Sequence, residues 1–172
     1  MRKTAAFFIS AVLMAVMLSG CGKEVAKTPK IDNLFTCKAE FSCNGFEGEA
    51  NVSRLGDGMW DVEFAAPKTL EGVKLLFNND EIKASYLGLS FTLPKESAPA
   101  QSALTLFFDA VDDTILAEEM ESKQGETESK YFGENEAGAF EITVSAENGV
   151  ITRVEIPSQS CVVDISEYAP IT

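Results

Sequence analysis

Hydrophobic side chains in this chain recur mostly at every second position, and that period constrains the fold more than any other feature. Phe35, Cys37, Ala39, Phe41 and Cys43 alternate with Thr36, Lys38, Glu40 and Ser42, the pattern of a β-strand that buries one face. The alternation continues less cleanly from Phe46 to Leu55, turns at Gly56-Asp57-Gly58, and resumes with Trp60, Val62 and Phe64 opposed to Asp61 and Glu63. Three such runs in succession predict an antiparallel meander. Shorter strands are predicted at Val73 to Phe77, Glu81 to Leu87 and Leu89 to Leu93, separated by Asn78-Asn79-Asp80 and by Gly88 and stopped by Pro94. The period changes once: after Ser97 and Pro99, a cap and a first-turn residue, Ala100, Ala103, Leu104, Phe107, Val111 and Ile115 recur at helical spacing. Leu106 and Phe108 widen the apolar face of this helix, predicted near 98–117, so it must be buried against something large. Glu118 to Glu136 carries seven glutamates and reads as an exposed hairpin or loop. Alternation returns with Phe140, Ile142 and Val144, turns at Glu147-Asn148-Gly149, runs on to Ile156, and closes with Cys161, Val163 and Ile165 before Tyr168. Strands, one helix, then strands predict an α+β fold: a long curved antiparallel sheet, an incomplete β-barrel, covered by a helix.

Ahead of this domain lies a segment of another kind. Arg2 and Lys3 precede the apolar run Ala5 to Met17, which ends in Leu18-Ser19-Gly20-Cys21. A basic start, a short apolar stretch and small residues before a cut site describe a signal peptide, and the run is shorter than the roughly 20 residues of a spanning helix. Leu-Ser-Gly-Cys resembles the lipobox of bacterial lipoproteins, and the resemblance implies cleavage before Cys21 and acylation of its thiol with palmitate-type chains. A saturated chain gains about 0.8 kcal/mol per buried methylene, so several chains on one cysteine hold a protein at a membrane. The expected organisation is a signal peptide over 1–20, a polar tether over 21–33, and one domain over 34–172. That domain would sit on the extracytoplasmic face of the cell membrane, attached through Cys21.

Charge and chemistry narrow the function. The chain has a formal net charge of −13, and without its first twenty residues it carries 27 acids against 12 bases. That sign argues against nucleic acid, whose recognition needs a basic surface, and leaves the lipid as the only attachment to an anionic bilayer. The chain has no histidine, which removes Ser-His and Cys-His catalysis and the usual zinc sites. Asp112-Asp113 and Glu118-Glu119-Glu121 read as solvated charge, and no calcium loop or glycine-rich phosphate loop is present. No enzyme, cofactor or metal is expected. With Cys21 acylated, Cys37, Cys43 and Cys161 remain. Cys37 and Cys43 lie about 20 Å apart along one strand and cannot bond each other. Either one pairs with Cys161 and leaves the other as a buried thiol, or all three are small hydrophobes of the core.

A lipobox, an early Phe-rich strand, the segment Gly58, Trp60, Val62 to Phe64, Pro67 and Leu70, the segment Tyr86, Gly88, Phe91 and Leu93, a helix, and a closing Asn148-Gly149-Val150-Ile151 hairpin that runs to Tyr168 together resemble the LolA/LolB/LppX superfamily of lipoprotein-sorting proteins. The resemblance spans about 34–168. It implies an incomplete barrel lidded by helices around an apolar cavity, and a protein that carries lipid without catalysis. Phe35, Phe41, Trp60, Phe64, Phe77, Tyr86, Phe91, Phe107 and Phe108 are the candidate lining for a hydrophobic ligand, a lipid or acyl chain. Two interiors fit this aromatic set, a hollow one and a packed core. The other function class consistent with the sequence is a protein-interaction or regulatory module on the same scaffold, its acidic face meeting a basic protein partner. Cys21→Ser is expected to release the domain from the membrane fraction or to block processing; unchanged fractionation and gel mobility would refute the lipid anchor.

Overall fold

The computed structural model describes residues 24–78, 80–97 and 102–172. The signal segment, Cys21, Asn79 of the expected turn, and Pro99 and Ala100 of the expected helix start lie outside the described residues. One antiparallel sheet contains β1 (Glu24–Lys27), β2 (Phe35–Cys43), β3 (Phe46–Gly56), β4 (Met59–Ala66), β5 (Lys74–Phe77), β6 (Glu81–Tyr86), β7 (Leu89–Pro94), β8 (Glu119–Lys123), β9 (Glu128–Asn135), β10 (Gly138–Ser145), β11 (Ile151–Ile156) and β12 (Cys161–Pro170). A single helix longer than one turn, α1 (Ala103–Leu116), stands between β7 and β8 among the described residues. The spatial order is β1-β8-β9-β10-β11-β12-β2-β3-β4-β5-β6-β7, so among the described residues β1 and β7 are the two free ends and the sheet does not close.

Local chemistry sets the boundaries. Cys43 pairs with Phe46 across Asn44-Gly45, both at positive φ (49° and 81°), the two-residue turn whose twist matches the strands it joins. The helix starts later than the spacing predicts: Ser102 is its cap, its Oγ accepting the Thr105 N–H at 3.2 Å, as short hydroxyl side chains do at free helix amides. Ser97, expected in that role, lies instead in a 3-10 turn, Lys95–Ser97.

Two stretches differ from expectation. The segment expected as a tether contains β1, which pairs Glu24–Lys27 with Glu119–Ser122 of β8, and Thr28 Oγ1 donates to the Ala117 carbonyl at 2.8 Å. The glutamate-rich segment is a hairpin, as one reading had it, but only one of its faces is exposed: Met120, Ser122, Ser129 and Tyr131 are buried. Glu119, Glu121, Glu128 and Glu134 lie on the outward phase. The buried hydroxyl of Ser129 donates to Gln124 Oε1 at 2.7 Å and Gln124 Nε2 donates to Ser122 Oγ, which compensates their loss of water.

The core lies between the inner face of the sheet and α1. Phe107 meets Phe41 of β2 and Trp60 of β4 at ring separations of 5.9 and 5.7 Å; Phe108 stacks on Trp60 at 4.5 Å and meets Phe77 of β5 edge-on at 5.1 Å. The same helix lies against β9, β10, β11 and β12. Strands from both flanks of the sheet can reach one helix only if the sheet bends. At the centre, β2 pairs with β12, and Cys43 is bonded to the residue directly opposite, Cys161. Cys37 remains a buried free thiol whose pKa desolvation pushes up to about 12. The structure thus realises the one-disulfide alternative.

The bond closes a loop with a sequence separation of 118, and constraining so long a loop in the unfolded chain stabilises a fold by about 2–5 kcal/mol. Cys43→Ala/Cys161→Ala is therefore expected to lower unfolding free energy by that amount in a urea titration, and an unchanged midpoint would show that the bond contributes nothing.

Candidate functional site

Arg54 occupies an inward position of β3, in phase with Ala50 and Val52, and it is fully buried. Its Nε donates to Asp112 Oδ1 of α1 at 2.6 Å and its Nη1 donates to the backbone and side-chain oxygens of Asn33. Asp112 Oδ2 accepts Trp60 Nε1 at 3.0 Å and the Gly58 amide at 3.3 Å. The guanidinium also lies 5.8 Å from the centroid of the Trp60 ring. Nη2 alone has no partner. The expectation that Asp112 is solvated is thus corrected: it lies on the helix phase that faces β3 and β4, and only Asp113 of the pair is exposed. A charged residue in an apolar phase was the sequence signal for this pair, both for Arg54 beside Val52 and for Asp112 four residues after Phe108.

A cleft of about 530 Å³ opens on the solvent side of Asp112, lined by Asp57, Asp109, Asp113, Glu136, Asn135 and Lys95 among others. Asn135 Nδ2 donates to Asp113 Oδ2 at 3.0 Å. Partial desolvation, and then the neighbouring Asp113 carboxylate, hold Asp109 above the usual carboxylate range. The cleft is acidic and polar, and no group of three or more His, Cys, Asp or Glu side chains is placed to hold a metal among the described residues.

Of the nine aromatic residues expected to line a ligand site, seven are buried: Phe35, Phe41, Trp60, Phe64, Phe77, Phe107 and Phe108 belong to one packed cluster. Phe35 also stacks on Tyr168 at 4.8 Å, and the Tyr168 hydroxyl donates to Asp32. All of these rings but Phe64 meet at least one other of the set, and Phe41, Trp60 and Phe77 meet Phe107 or Phe108 of the helix. Phe64 additionally lines a smaller apolar hollow of about 340 Å³ with Phe46, Ala103 and Leu104. Tyr86 and Phe91 differ from the other seven. They lie outside the core, 48% and 59% exposed.

Register shows which face they occupy. Phe91 pairs with Ala84 and Leu93 with Ile82, both inward and buried, so Leu89, Phe91 and Leu93 share the inner face with the end of β6. Leu89 and Leu93 are 77% and 41% exposed. The inner face therefore has two regions, one packed on α1 and one apolar and open. Sequence reasoning named Phe91 and Tyr86 but missed their neighbours Leu89 and Leu93, whose alternation with Ser90 and Thr92 was the available signal.

No protein-family model matches the chain, and no curated protein matches it. Similar solved structures include an uncharacterized conserved protein from Thermus thermophilus (13% identity, 82% of this chain and 80% of that one, TM-score 0.48). They also include a DUF1329 family protein from Desulfovibrio piger (13% identity, 81% and 86% covered, TM-score 0.41) and a LolA superfamily protein from Nitrosomonas europaea (10% identity, 85% and 89% covered, TM-score 0.37). A member of the superfamily that the sequence resembles is thus among the similar structures.

The buried ion pair yields a sharp expectation. Removing one member of a buried pair strands the other charge and costs about 3–5 kcal/mol, whereas apolar replacement of both is near neutral. Asp112→Ala should destabilise the protein by that amount in urea unfolding, and Arg54→Met/Asp112→Leu should recover part of the loss, short of the cost of the buried Trp60 Nε1 donor it leaves unpaired. Equal destabilisation in the single and double variants would contradict this account.

Proposed function

We propose that this protein is a lipid-anchored extracytoplasmic binding protein that holds a hydrophobic ligand of acyl-chain type on the open part of its inner sheet face, without catalysis. The observation that carries the reading is the row Tyr86, Leu89, Phe91 and Leu93, each 41–77% exposed on one face of one hairpin. A contiguous exposed apolar surface in a chain of net charge −13 costs solubility unless something apolar occupies it. An extended row of aliphatic and aromatic side chains suits an extended hydrocarbon. It lacks the convergent polar groups that a polar ligand requires.

Two further features support the setting. The Leu18-Ser19-Gly20-Cys21 sequence fits export and acylation. The Cys43–Cys161 bond fits an oxidising compartment outside the cytoplasm. In this reading α1 is the lid of the half-barrel, and the ligand lies beside it where the lid ends.

Full burial of a Leu or Phe side chain gains about 1.5–3 kcal/mol, and 1.4 kcal/mol is tenfold in affinity. Leu89→Ser/Phe91→Ser is therefore expected to weaken binding of a fluorescent fatty acid at least tenfold. Its melting temperature should stay near the parent value, because both residues are exposed. Equal binding by parent and variant, or no binding by the parent, would refute the acyl-chain reading.

A further inference from the structure

Sheets normally protect their edges with charge, a proline within the strand, a bulge or short length. The edge strand β1 has two of these: it is four residues long and carries Lys27. At the other end β7 has none along its course. It is six residues long, all exposed, in unbroken register with β6, with Pro94 only at its last position. No charged residue occurs from Ala84 to Pro94. In a chain of net charge −13 most surfaces of two copies would bring carboxylates together, and this edge does not.

The free groups of the edge can be assigned. Lys95 N–H bonds the Asp80 carbonyl at 2.9 Å, which fixes the parity of the β6–β7 ladder, because hydrogen-bonded and non-hydrogen-bonded pairs alternate. Leu89, Phe91 and Leu93 therefore direct their backbone groups at β6. Ser90 and Thr92 direct theirs outward. About Phe91 the strand reads Leu-Ser-Phe-Thr-Leu, the same apolar and hydroxyl pattern in either direction.

We propose that β7 pairs antiparallel with β7 of a second copy, about a two-fold axis at Phe91. Ser90 then exchanges both backbone hydrogen bonds with Thr92 of the second copy, and the symmetry repeats the exchange. Phe91 faces its own counterpart in a non-hydrogen-bonded pair, where Cα atoms lie about 4.5 Å apart, and Leu89 meets Leu93. A symmetric, self-complementary contact of this kind closes at two subunits and leaves no free β7 edge. The open apolar rows of two copies join into one trough twice as long. That consequence rests on reading the row as the ligand site, whereas the pairing itself rests on the edge alone.

The test uses the full chain in its own membranes. A Phe91→Cys variant is oxidised before solubilisation; the pairing places the two thiols within disulfide reach, while Cys37 is buried and Cys43 is already bonded. A covalent dimer is expected from Phe91→Cys and none from Lys83→Cys on the outer face of β6. Thr92→Pro removes an amide that β6 does not use and should convert a dimeric mass, measured by light scattering in detergent, to a monomeric one. A monomeric parent, or a Phe91→Cys variant that stays uncrosslinked and is shielded from water-soluble thiol reagents by lipid vesicles alone, overturns the pairing. A dimer that binds no fatty-acid probe sustains the pairing and refutes the ligand reading, and a monomer that binds the probe does the reverse.

Discussion

Taking a guanidinium out of water is costly unless its charge and its donors are met, and the arrangement of this domain follows from how Arg54 is met. The Asp112 carboxylate supplies the charge from the helix, Asn33 supplies two oxygens from the segment before β2, and Trp60 and Gly58 share the other oxygen of Asp112. Four separate pieces of chain are thus held to one point. That point fixes the rotation of α1 about its axis, which in turn decides that Phe107 and Phe108 enter the aromatic cluster. Hydrophobic packing supplies most of the stabilisation, but it is non-directional. The ion pair supplies the orientation.

Where α1 packs on β2, β4 and β5 the inner face is core, and at β7 it is open. The exposed row on β6 and β7 is the part of the inner face that lies outside this core. This division explains why the same period of apolar residues has two outcomes in one sheet. Phe77 and Ile82 are buried, while Leu89 and Phe91, on the same face and a strand or two away, meet solvent.

Long strands and the helix were legible in the sequence because each buries one face along its length, as in Phe35 to Cys43 and in Leu104 to Val111. What was hidden had physical causes. β1 is four residues at an edge and buries too little to leave a pattern. β8 and β9 place serines, satisfied by Gln124, at inward positions where hydrophobes would have announced a strand. Arg54 and Asp112 were unread because a polar residue in an apolar phase shows its meaning only when its partner, 58 residues away, is placed beside it. The open part of the site was half legible: periodicity reports which side chains share a face, and says nothing of whether that face is covered.

The seam between β2 and β12 sets the order in which this protein can be completed. The two strands pair from Cys43↔Cys161 to Phe35↔Pro170, and the Ile171 N–H still bonds the Leu34 carbonyl. A chain emerging from its N-terminus presents β2 with one edge satisfied by β3 and the other waiting for β12, whose Cys161 lies 118 residues beyond Cys43. Until then the centre of the finished sheet is an exposed, Phe-bearing strand edge. Such an edge invites pairing with other chains. Completion therefore waits on β12, and a polypeptide that lacks it would leave the β2 and β11 edges unpaired and its two flanks joined only through α1.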